Sequence, residues 1–315
     1  LTRPEIYYGE KTTDYVIVGT NTEEFDYPVG DTNAWTKYEG TGGVPIGGLF
    51  RKAMYAWQFS DFNMLISSQV TPESRVMYHR QVRDRVERIA PFLSTDTDPY
   101  VVILDGRLLW VIDCYTTSTR YPYSDPLPNG VNYIRNSVKA VVDAYNGSVD
   151  FYVTEPNDPI LKTYEAIFPD VFQPMHAMPA GLRGHLRYPV DMFQVQADVF
   201  RTYHMQDARV FYNKEDLWAV PREFYGSQEQ PIQPYYIIMR LPGESTEEFL
   251  LMLPFTPANR NNAIGWLAAR CDGGEYGTLL VYSFPKDRLI YGPSQIENRI
   301  QQDTEITEQL ALWSR

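Results

Sequence analysis

The sequence has little cysteine and no long apolar segment. It contains two cysteines, Cys114 and Cys271, in 315 residues, too few for the disulfide framework of a small secreted domain. The two cysteines could form one disulfide bridge or remain two separate buried thiols, and we expect separate thiols. The longest apolar runs, such as YVVIL and FLLMLPF, are strand-sized and fall well short of the roughly 18 residues of a membrane-spanning helix. We find no signal peptide. The start at Leu1 rather than at a methionine indicates a chain that has been processed or cut from a longer one.

Positive charge is also scarce. The chain has 28 lysines and arginines against 40 acids, a net charge of −12 at pH 7, so nucleic acid is not expected as a partner because phosphate binding needs a basic field. The sequence has no HExxH, no Cys-x-x-Cys and no G-x-S-x-G, the spacings typical of zinc sites and serine nucleophiles. We therefore predict no metal site and no cofactor. Whether the chain is an enzyme stays open, with a non-enzyme favoured.

A glycine-rich stretch, YEGTGGVPIGGLF at residues 38–50, has the glycine density of a phosphate-binding loop. A P-loop needs a lysine and a hydroxyl residue after its last glycine, whereas Leu49 and Phe50 follow here. The stretch is therefore predicted to be a structural loop that leads into a helix.

Helical and alternating patterns both occur, and they predict an α+β fold. Hairpins are predicted to turn at Asp105–Gly106 and at Asn146–Gly147, and a third hairpin spans 235–255. Helices are predicted over 47–63, 72–90 with Thr71 as N-cap, 158–168, 188–205, 259–271 and, after a Ser294–Glu297 capping box, near the C-terminus. Strand–strand–helix order with tight turns indicates antiparallel sheets built from hairpins, with helices packed on one face.

Composition divides the chain into three segments. Residues 1–70 form an irregular arm and an amphipathic helix, and one short strand is predicted at 15–18 within the arm. An α+β subdomain follows over 71–213. A second α+β subdomain, with a hairpin, a helix, a strand and a C-terminal helix, occupies 214–315.

The predicted helix after the glycines has a mixed surface. One face carries Leu49, Phe50 and Trp57, with Arg51 and Lys52 beside it. Such a helix can lie at a bilayer surface. Amphipathic helices of globular proteins more often turn the apolar face to the core, and we expect that arrangement here.

The helix predicted over 72–90 is rich in arginine for an acidic chain. These residues are compatible with an anion or lipid-headgroup patch. Asp84 and Glu87 lie four residues from arginine partners, however, which favours a solvated face with ion pairs. The arginines are Arg75, Arg80, Arg83, Arg85 and Arg88.

The best candidate for ligand binding is the stretch YTTSTRYPYS, residues 115–124, which follows a predicted strand. It combines hydroxyl residues with Tyr115, Arg120, Tyr121 and Tyr123. Such side chains can stack on and hydrogen-bond a polar ligand such as a glycan or a peptide. The alternative is a loop that its own tyrosines pack over the sheet.

Several stretches are distinctive beyond these patterns, among them RPEIYYGE, YEGTGGVP, DFNMLISSQVTPESR, GVNYIRNSVKAVVDAYNG, QPYYIIMRLPGE, WLAARCD and YGPSQIENRI. Together, and in order along nearly the whole chain, they resemble uncharacterised protein family 0182. The resemblance implies a bacterial integral membrane protein in which several membrane helices precede a large water-soluble region outside the cytoplasmic membrane. This chain resembles that region, and the family pattern continues past Arg315 into a strand-rich segment. The resemblance supplies no catalytic residues.

The residues and the resemblance together favour a binding or interaction module, exposed on the extracytoplasmic side of the cell membrane. Its expected partners are its own membrane helices and an envelope polymer, a peptide or another protein. One alternative is an envelope hydrolase or transferase with a carboxylate-based site, which predicts a cleft where acids converge. Another is a structural scaffold of a membrane complex, which predicts an exposed apolar patch.

Overall fold

The computed structural model describes residues 1–225 and 228–313. Two compact units divide the chain, Leu1–His185 and Leu186–Arg315. Both units combine helices with mainly antiparallel sheets, which confirms the α+β class. The sequence-based division at residues 70 and 213 remains a prediction.

The first unit contains eleven strands and five α-helices among its residues. The strands, β1 to β11, are Val16–Val18, Glu24–Val29, Thr32–Thr36, Val44–Pro45, Arg75–Met77, Ser94–Thr95, Tyr100–Leu104, Arg107–Ser118, Tyr133–Asp143, Val149–Val153 and Phe172–Pro174. The helices, α1 to α5, are Leu49–Gln58, Asn63–Ile66, Val82–Ile89, Pro159–Ile167 and Ala180–Arg183. A single 3₁₀ turn spans Met175–Ala177.

A six-stranded sheet forms the centre of this unit, in the order β11-β10-β9-β8-β6, with β7 also paired to β8. Its hairpins turn where the sequence predicts. Asp105 and Gly106 have φ values of +49° and +76°, and Gly147 has +71°, the left-handed backbone that a tight turn requires. Strands β8 and β9 supply the middle of the apolar core, which includes Ile112, Cys114, Val138, Ala140 and Val142.

A second set of buried side chains on β8 and β9 is polar. Asp113 and Lys139 face each other across the two strands as an ion pair, and both are almost fully buried. Further along the strands, Thr116 and Ser137 donate to Asp158, the N-cap of α4. Buried polar groups are costly without partners. A shift in the register of β8 and β9, or a movement of α4, would break these contacts, so they fix the position of the helix relative to the two strands.

The helix predicted over 72–90 is wrong in its N-terminal half. Residues 75–77 form β5, which pairs with β1 and β4 in a small antiparallel sheet. Helix α3 begins only at Val82, with Gln81 rather than Thr71 as its N-cap. Strand pairing with the arm has overridden the local helical pattern.

The arginines near α3 fasten other segments of the first unit. Arg80 donates to the carbonyl of Tyr7 and Arg85 to that of Gly147, each at 2.6 Å. Guanidinium groups used in this way act as clamps on the chain rather than as an anion patch. Helical spacing does correctly predict two surface ion pairs, Arg88–Asp84 and Arg83–Glu87.

Close backbone approach explains the glycine-rich stretch. A Cβ on Gly40 or Gly42 would overlap Asn146, and a Cβ on Gly47 would overlap the backbone of Pro72. Glycine is the residue that permits such contacts. The stretch therefore packs its backbone against neighbouring segments of the first unit.

The second unit contains strands β12 to β20 and helices α6 to α9 among its described residues. The strands are Trp218–Ala219, Arg222–Tyr225, Gln228–Pro231, Tyr235–Arg240, Glu247–Pro257, Asn262–Ala263, Gly265–Arg270, Leu279–Ser283 and Ile290–Tyr291. The helices are Val190–Tyr203, Ala208–Asn213, Pro293–Gln302 and Thr304–Trp313, and a 3₁₀ turn spans Gly273–Glu275. The main sheet has the order β12-β16-β18-β19, with β15 also paired to β16.

The third hairpin, formed by β15 and β16, and helix α6 confirm their sequence predictions. The helix predicted over 259–271 is wrong, because most of that segment forms β17 and β18. Strand β18 lies between β16 and β19, so its backbone is hydrogen-bonded along both edges, and Leu267, Ala268 and Ala269 are buried. Helix α8 begins at Pro293 with Gly292 as N-cap, and the predicted cap at Ser294 is wrong by two positions.

Both cysteines are free and buried, which confirms two separate thiols. Cys114 belongs to the core of the first unit, and Cys271 lies in the second. Burial, together with the neighbouring Asp113 carboxylate, raises the pKa of the Cys114 thiol above its usual range. A thiol of this kind is chemically inert in the folded chain.

Candidate functional site

Large apolar side chains are exposed together on α1, α2 and the turn between them. In chain order they are Leu49, Phe50, Met54, Trp57, Phe62 and Ile66, and we name this set the apolar face. Its most exposed members, Trp57 and Ile66, keep 82% and 81% of their surface accessible to water. Large exposed apolar side chains gathered on two neighbouring helices are typical of an interaction site.

Helix α1 has this orientation because aromatic packing already fills its other side. Phe59, at the C-terminal end of α1, stacks on Tyr15 with ring centroids 4.3 Å apart and on Tyr55 at 5.8 Å. Ala56 is buried beside these rings. The core-facing arrangement expected from the sequence is therefore wrong, since the apolar face points to solvent.

Two basic side chains border the apolar face. Arg51 donates to the carbonyl of Pro45 at 3.3 Å, and Lys52 donates to that of Val70 at 3.2 Å. Both cations are thus held beside α1. Residues 40–60 contain no acid, whereas Asp61, in the turn between α1 and α2, adds a carboxylate to the same segment and accepts a hydrogen bond from the hydroxyl of Tyr15.

Tyr115 belongs to the central sheet rather than to an exposed loop. It lies within β8, is 2% exposed, and donates its hydroxyl hydrogen bond to Asp96. A ligand in solvent cannot reach it. The binding surface predicted over 115–124 therefore does not include this residue.

The other three residues of that prediction are exposed. Tyr121 stacks on Tyr133 with ring centroids 5.4 Å apart, and Arg120 and Tyr123 are open to solvent. Tyr123 has a φ of +59°, which is uncommon for a residue other than glycine. Arg120, Tyr121 and Tyr123 remain a predicted ligand-binding loop.

A surface cavity of about 350 Å³ lies in the first unit. It is lined by Glu5 of the arm, by Glu24 and Asp26 of β2, and by Tyr7 and Arg80. No sequence motif marks the cavity, because its acids come from separate irregular segments. Acids converging on one void are what the enzyme alternative predicts, so that alternative stays open.

Other chemistry is sparse in the ranges 1–225 and 228–313. They hold no group of three or more His, Cys, Asp or Glu placed to bind a metal ion. Across the same residues, no helix has both the length and the apolarity to cross a membrane. His204 packs on Trp218 with ring centroids 4.1 Å apart, so it belongs to an aromatic cluster.

One family model, described as uncharacterised protein family UPF0182, matches residues 1–313. Curated relatives agree. A UPF0182 protein of Pelotomaculum thermopropionicum is 53% identical over 315 residues, covering all of this chain and 34% of the relative. One of Geobacter sulfurreducens is 55% identical over 316 residues, covering all of this chain and 35% of the relative.

A cyanobacterial relative, from a Nostoc species, is 53% identical over 322 residues and covers 99% of this chain but 32% of its own length. The chain thus spans about a third of the length of the curated relatives it matches. No solved structure matches it.

Proposed function

We propose, from the premise that this chain belongs to the uncharacterised protein family UPF0182, that it is the extracytoplasmic interaction module of a membrane-anchored bacterial protein. The apolar face of α1 and α2 is the surface by which the module docks on the bilayer. About two thirds of the length of the relatives lies outside this chain, and that remainder supplies the membrane helices in this proposal. The apolar face then works next to the anchor.

The observation that carries the proposal is the outward direction of the apolar face. Burying one large apolar side chain contributes about 1.5–3 kcal/mol, so six exposed ones represent a large unused driving force. Folding has not used it, because Tyr55 and Phe59 occupy the inward side of α1. A partner with an apolar interior would gain that energy.

Charge and residue type support a bilayer surface as that partner. Interfacial helices combine an apolar face containing Trp, Phe and Leu with basic residues that contact anionic headgroups. Here Trp57, Phe50 and Leu49 provide the first feature. Arg51 and Lys52 provide positive charge beside it, and in this proposal they exchange their hydrogen bonds to backbone carbonyls for contacts with headgroups. An indole is well suited to the boundary between headgroups and acyl chains.

Docking at the membrane leaves the rest of the module free to recognise an envelope polymer, a peptide or a partner protein. Arg120, Tyr121 and Tyr123 are the residues proposed for that contact, since they are exposed and combine aromatic faces with a guanidinium. A scaffold role uses the same apolar face without this second contact. Alanine substitution of Arg120 and Tyr121 separates the two roles, because it should abolish capture of a ligand but leave docking intact.

Vesicle co-sedimentation tests the docking step. The chain should bind vesicles of phosphatidylcholine with phosphatidylglycerol, and Phe50→Ser with Trp57→Ser should lower the partition coefficient at least about tenfold, since two anchors are lost. The matched control is Tyr212→Ser with Leu289→Ser, which removes two exposed apolar side chains of the second unit. This control should bind like the wild type.

Equal binding by the two double variants would overturn the proposal. So would a wild-type chain that ignores vesicles and instead forms dimers that Phe50→Ser with Trp57→Ser dissociates in sedimentation equilibrium. That result would make the apolar face an interface between copies.

A further inference from the structure

The cavity in the first unit is lined by apolar side chains and by carboxylates. Ile6, Val16 and Phe25 give it an apolar wall, and Glu5 and Asp26 give it carboxylates. Its volume of about 350 Å³ falls in the range of small-molecule sites. The contacts of each polar group decide what such a molecule must be.

Glu24 is already satisfied. It accepts a hydrogen bond from the hydroxyl of Tyr7 and another, at 3.0 Å, from the backbone N–H of Gly19. Both of its oxygens therefore have protein donors. Glu24 helps to shape the cavity and offers little to a ligand.

Glu5 is only half satisfied. The Thr36 hydroxyl donates to Oε1 at 3.0 Å, whereas Oε2 is fully buried and has no hydrogen-bond partner among the described residues. A buried carboxylate oxygen without a donor costs on the order of 1–3 kcal/mol. A ligand ammonium recovers that free energy if the Glu5 carboxylate turns Oε2 toward the cavity, because this oxygen has almost no surface of its own accessible to solvent.

The one cation that lines the cavity does not neutralise these acids. The guanidinium of Arg80 donates to the backbone carbonyls of Tyr7 at 2.6 Å and Asp14 at 3.0 Å. Backbone carbonyls carry no net charge, so this arginine orders the arm without forming an ion pair with the lining carboxylates. The cavity keeps an excess of negative charge.

The pKa of Asp26 reflects the same excess of negative charge in the cavity. Burial, and then the neighbouring carboxylate of Glu5, raise the pKa of Asp26 above its usual range. The carboxylate of Glu5 thus acts as a nearby like charge that disfavours the ionised form of Asp26. A cation placed between them removes the repulsion.

We infer that this cavity binds a small organic cation through a primary ammonium group, with Glu5 and Asp26 as its carboxylate partners. An ammonium has three N–H donors and no acceptor, which matches an orphaned carboxylate oxygen beside a second acid. The carbon skeleton of the ligand packs against Ile6, Val16 and the ring of Phe25. An aromatic face near an ammonium adds a cation–π attraction.

An organic cation fits better than a metal ion. The described part of the chain has no cluster of three His, Cys, Asp or Glu able to hold a metal, and Glu24 is committed to Tyr7 and Gly19. The apolar wall also has no use in metal coordination, whereas it matches a carbon skeleton. Calcium is nevertheless a necessary arm of the test.

Isothermal titration calorimetry tests the inference on the whole chain, without lipid. Putrescine or glucosamine should bind saturably, and tetramethylammonium, a cation without N–H donors, should bind at least about tenfold more weakly. Glu5→Gln and Asp26→Asn should each weaken amine binding about tenfold or more. The controls Glu23→Gln and Asp31→Asn make the same charge changes at exposed neighbouring positions and should leave affinity unchanged.

Three results would overturn the inference. These are the absence of saturable amine binding at millimolar concentration, equal losses in the cavity variants and the controls, and calcium binding that depends on Glu5 while amines do not bind. Melting curves of the variants establish that they are folded before titration. Vesicle docking by the apolar face plays no part in this measurement, so the two proposals fail independently.

Discussion

Single residues of this chain are fixed more by buried polar contacts than by local propensity. Asp158 is the clearest example, because it caps α4 and also accepts from side chains of β8 and β9. Its desolvation raises the pKa, but hydrogen bonds from Thr116, Tyr133 and Ser137 outweigh that effect and leave the pKa below its usual range. The sequence predicts a helix over 158–168, but only the fold shows Asp158 as its cap and supplies the cross-strand donors.

This lowered pKa predicts how Asp158 contributes to stability across pH. A carboxyl whose pKa is lower in the folded state stabilises it above the usual value of about 4, and this contribution is lost as pH falls through the lower folded value. Asp158→Asn should therefore cost about 1–3 kcal/mol at pH 7, and the gap from the wild type should narrow as pH drops. Urea unfolding at several pH values measures this difference in the free energy of unfolding.

The matched control is Asp207→Asn at the exposed N-cap of α7. Asparagine is also a good N-cap residue, so this change should have a small effect at pH 7. A gap for Asp158→Asn that stays constant down to acidic pH would contradict the prediction.

At the scale of elements, turns were more predictable than helices. Asp105, Gly106 and Gly147 have positive φ in tight turns, and their residue types alone predict such turns. Segments 75–77 and 265–270 look helical in isolation, yet both form strands in antiparallel pairs. The partner β1 of the first segment is distant in sequence. The partners β16 and β19 of the second are its near neighbours in the chain, but the helical spacing of its apolar residues does not reveal that pairing.

The candidate sites also divide into features that local sequence predicts and features that depend on packing partners. Periodicity located the two faces of α1 but not which one meets the core, since Tyr15 and Phe59 decide that by stacking. Of the predicted binding loop, Tyr115 is excluded because it belongs to a strand that runs further than its pattern suggests, and Arg120, Tyr121 and Tyr123 stay a prediction. The cavity was missed, since Glu5 and Asp26 come together only through the path of the arm.

The glycine-rich loop before α1 gives an element-scale prediction. Gly47→Ala should lower the free energy of unfolding by about 1–3 kcal/mol, because its Cβ would overlap backbone atoms of Pro72. Thermal and urea unfolding measure the change. Gly48→Ala is the matched neighbour, since its Cβ meets open space, and it should cost about 1 kcal/mol or less as an N-cap change. Equal costs at both positions would refute close packing as the reason for Gly47.

At the scale of the whole molecule, the two units each have buried apolar residues of their own. The first is organised by β8 and β9. The second places Leu250, Leu253, Phe255 and Leu267 of β16 and β18 in the interior. The chain spans about a third of the length of the curated relatives it matches, so the proposed location is best tested in a protein of that full length.

The two inaccessible thiols make that measurement clean. Because both native cysteines are buried, the wild-type segment should show little labelling by a maleimide dye that cannot pass a bilayer. One reporter cysteine at the exposed loop residue Ser245 then gives an unambiguous signal. In the full-length protein on living cells, Ser245→Cys should take up the dye before lysis, and staining that appears only after lysis would place the segment on the inner side. The burial of both native thiols therefore means that labelling of this segment reports on the introduced cysteine alone.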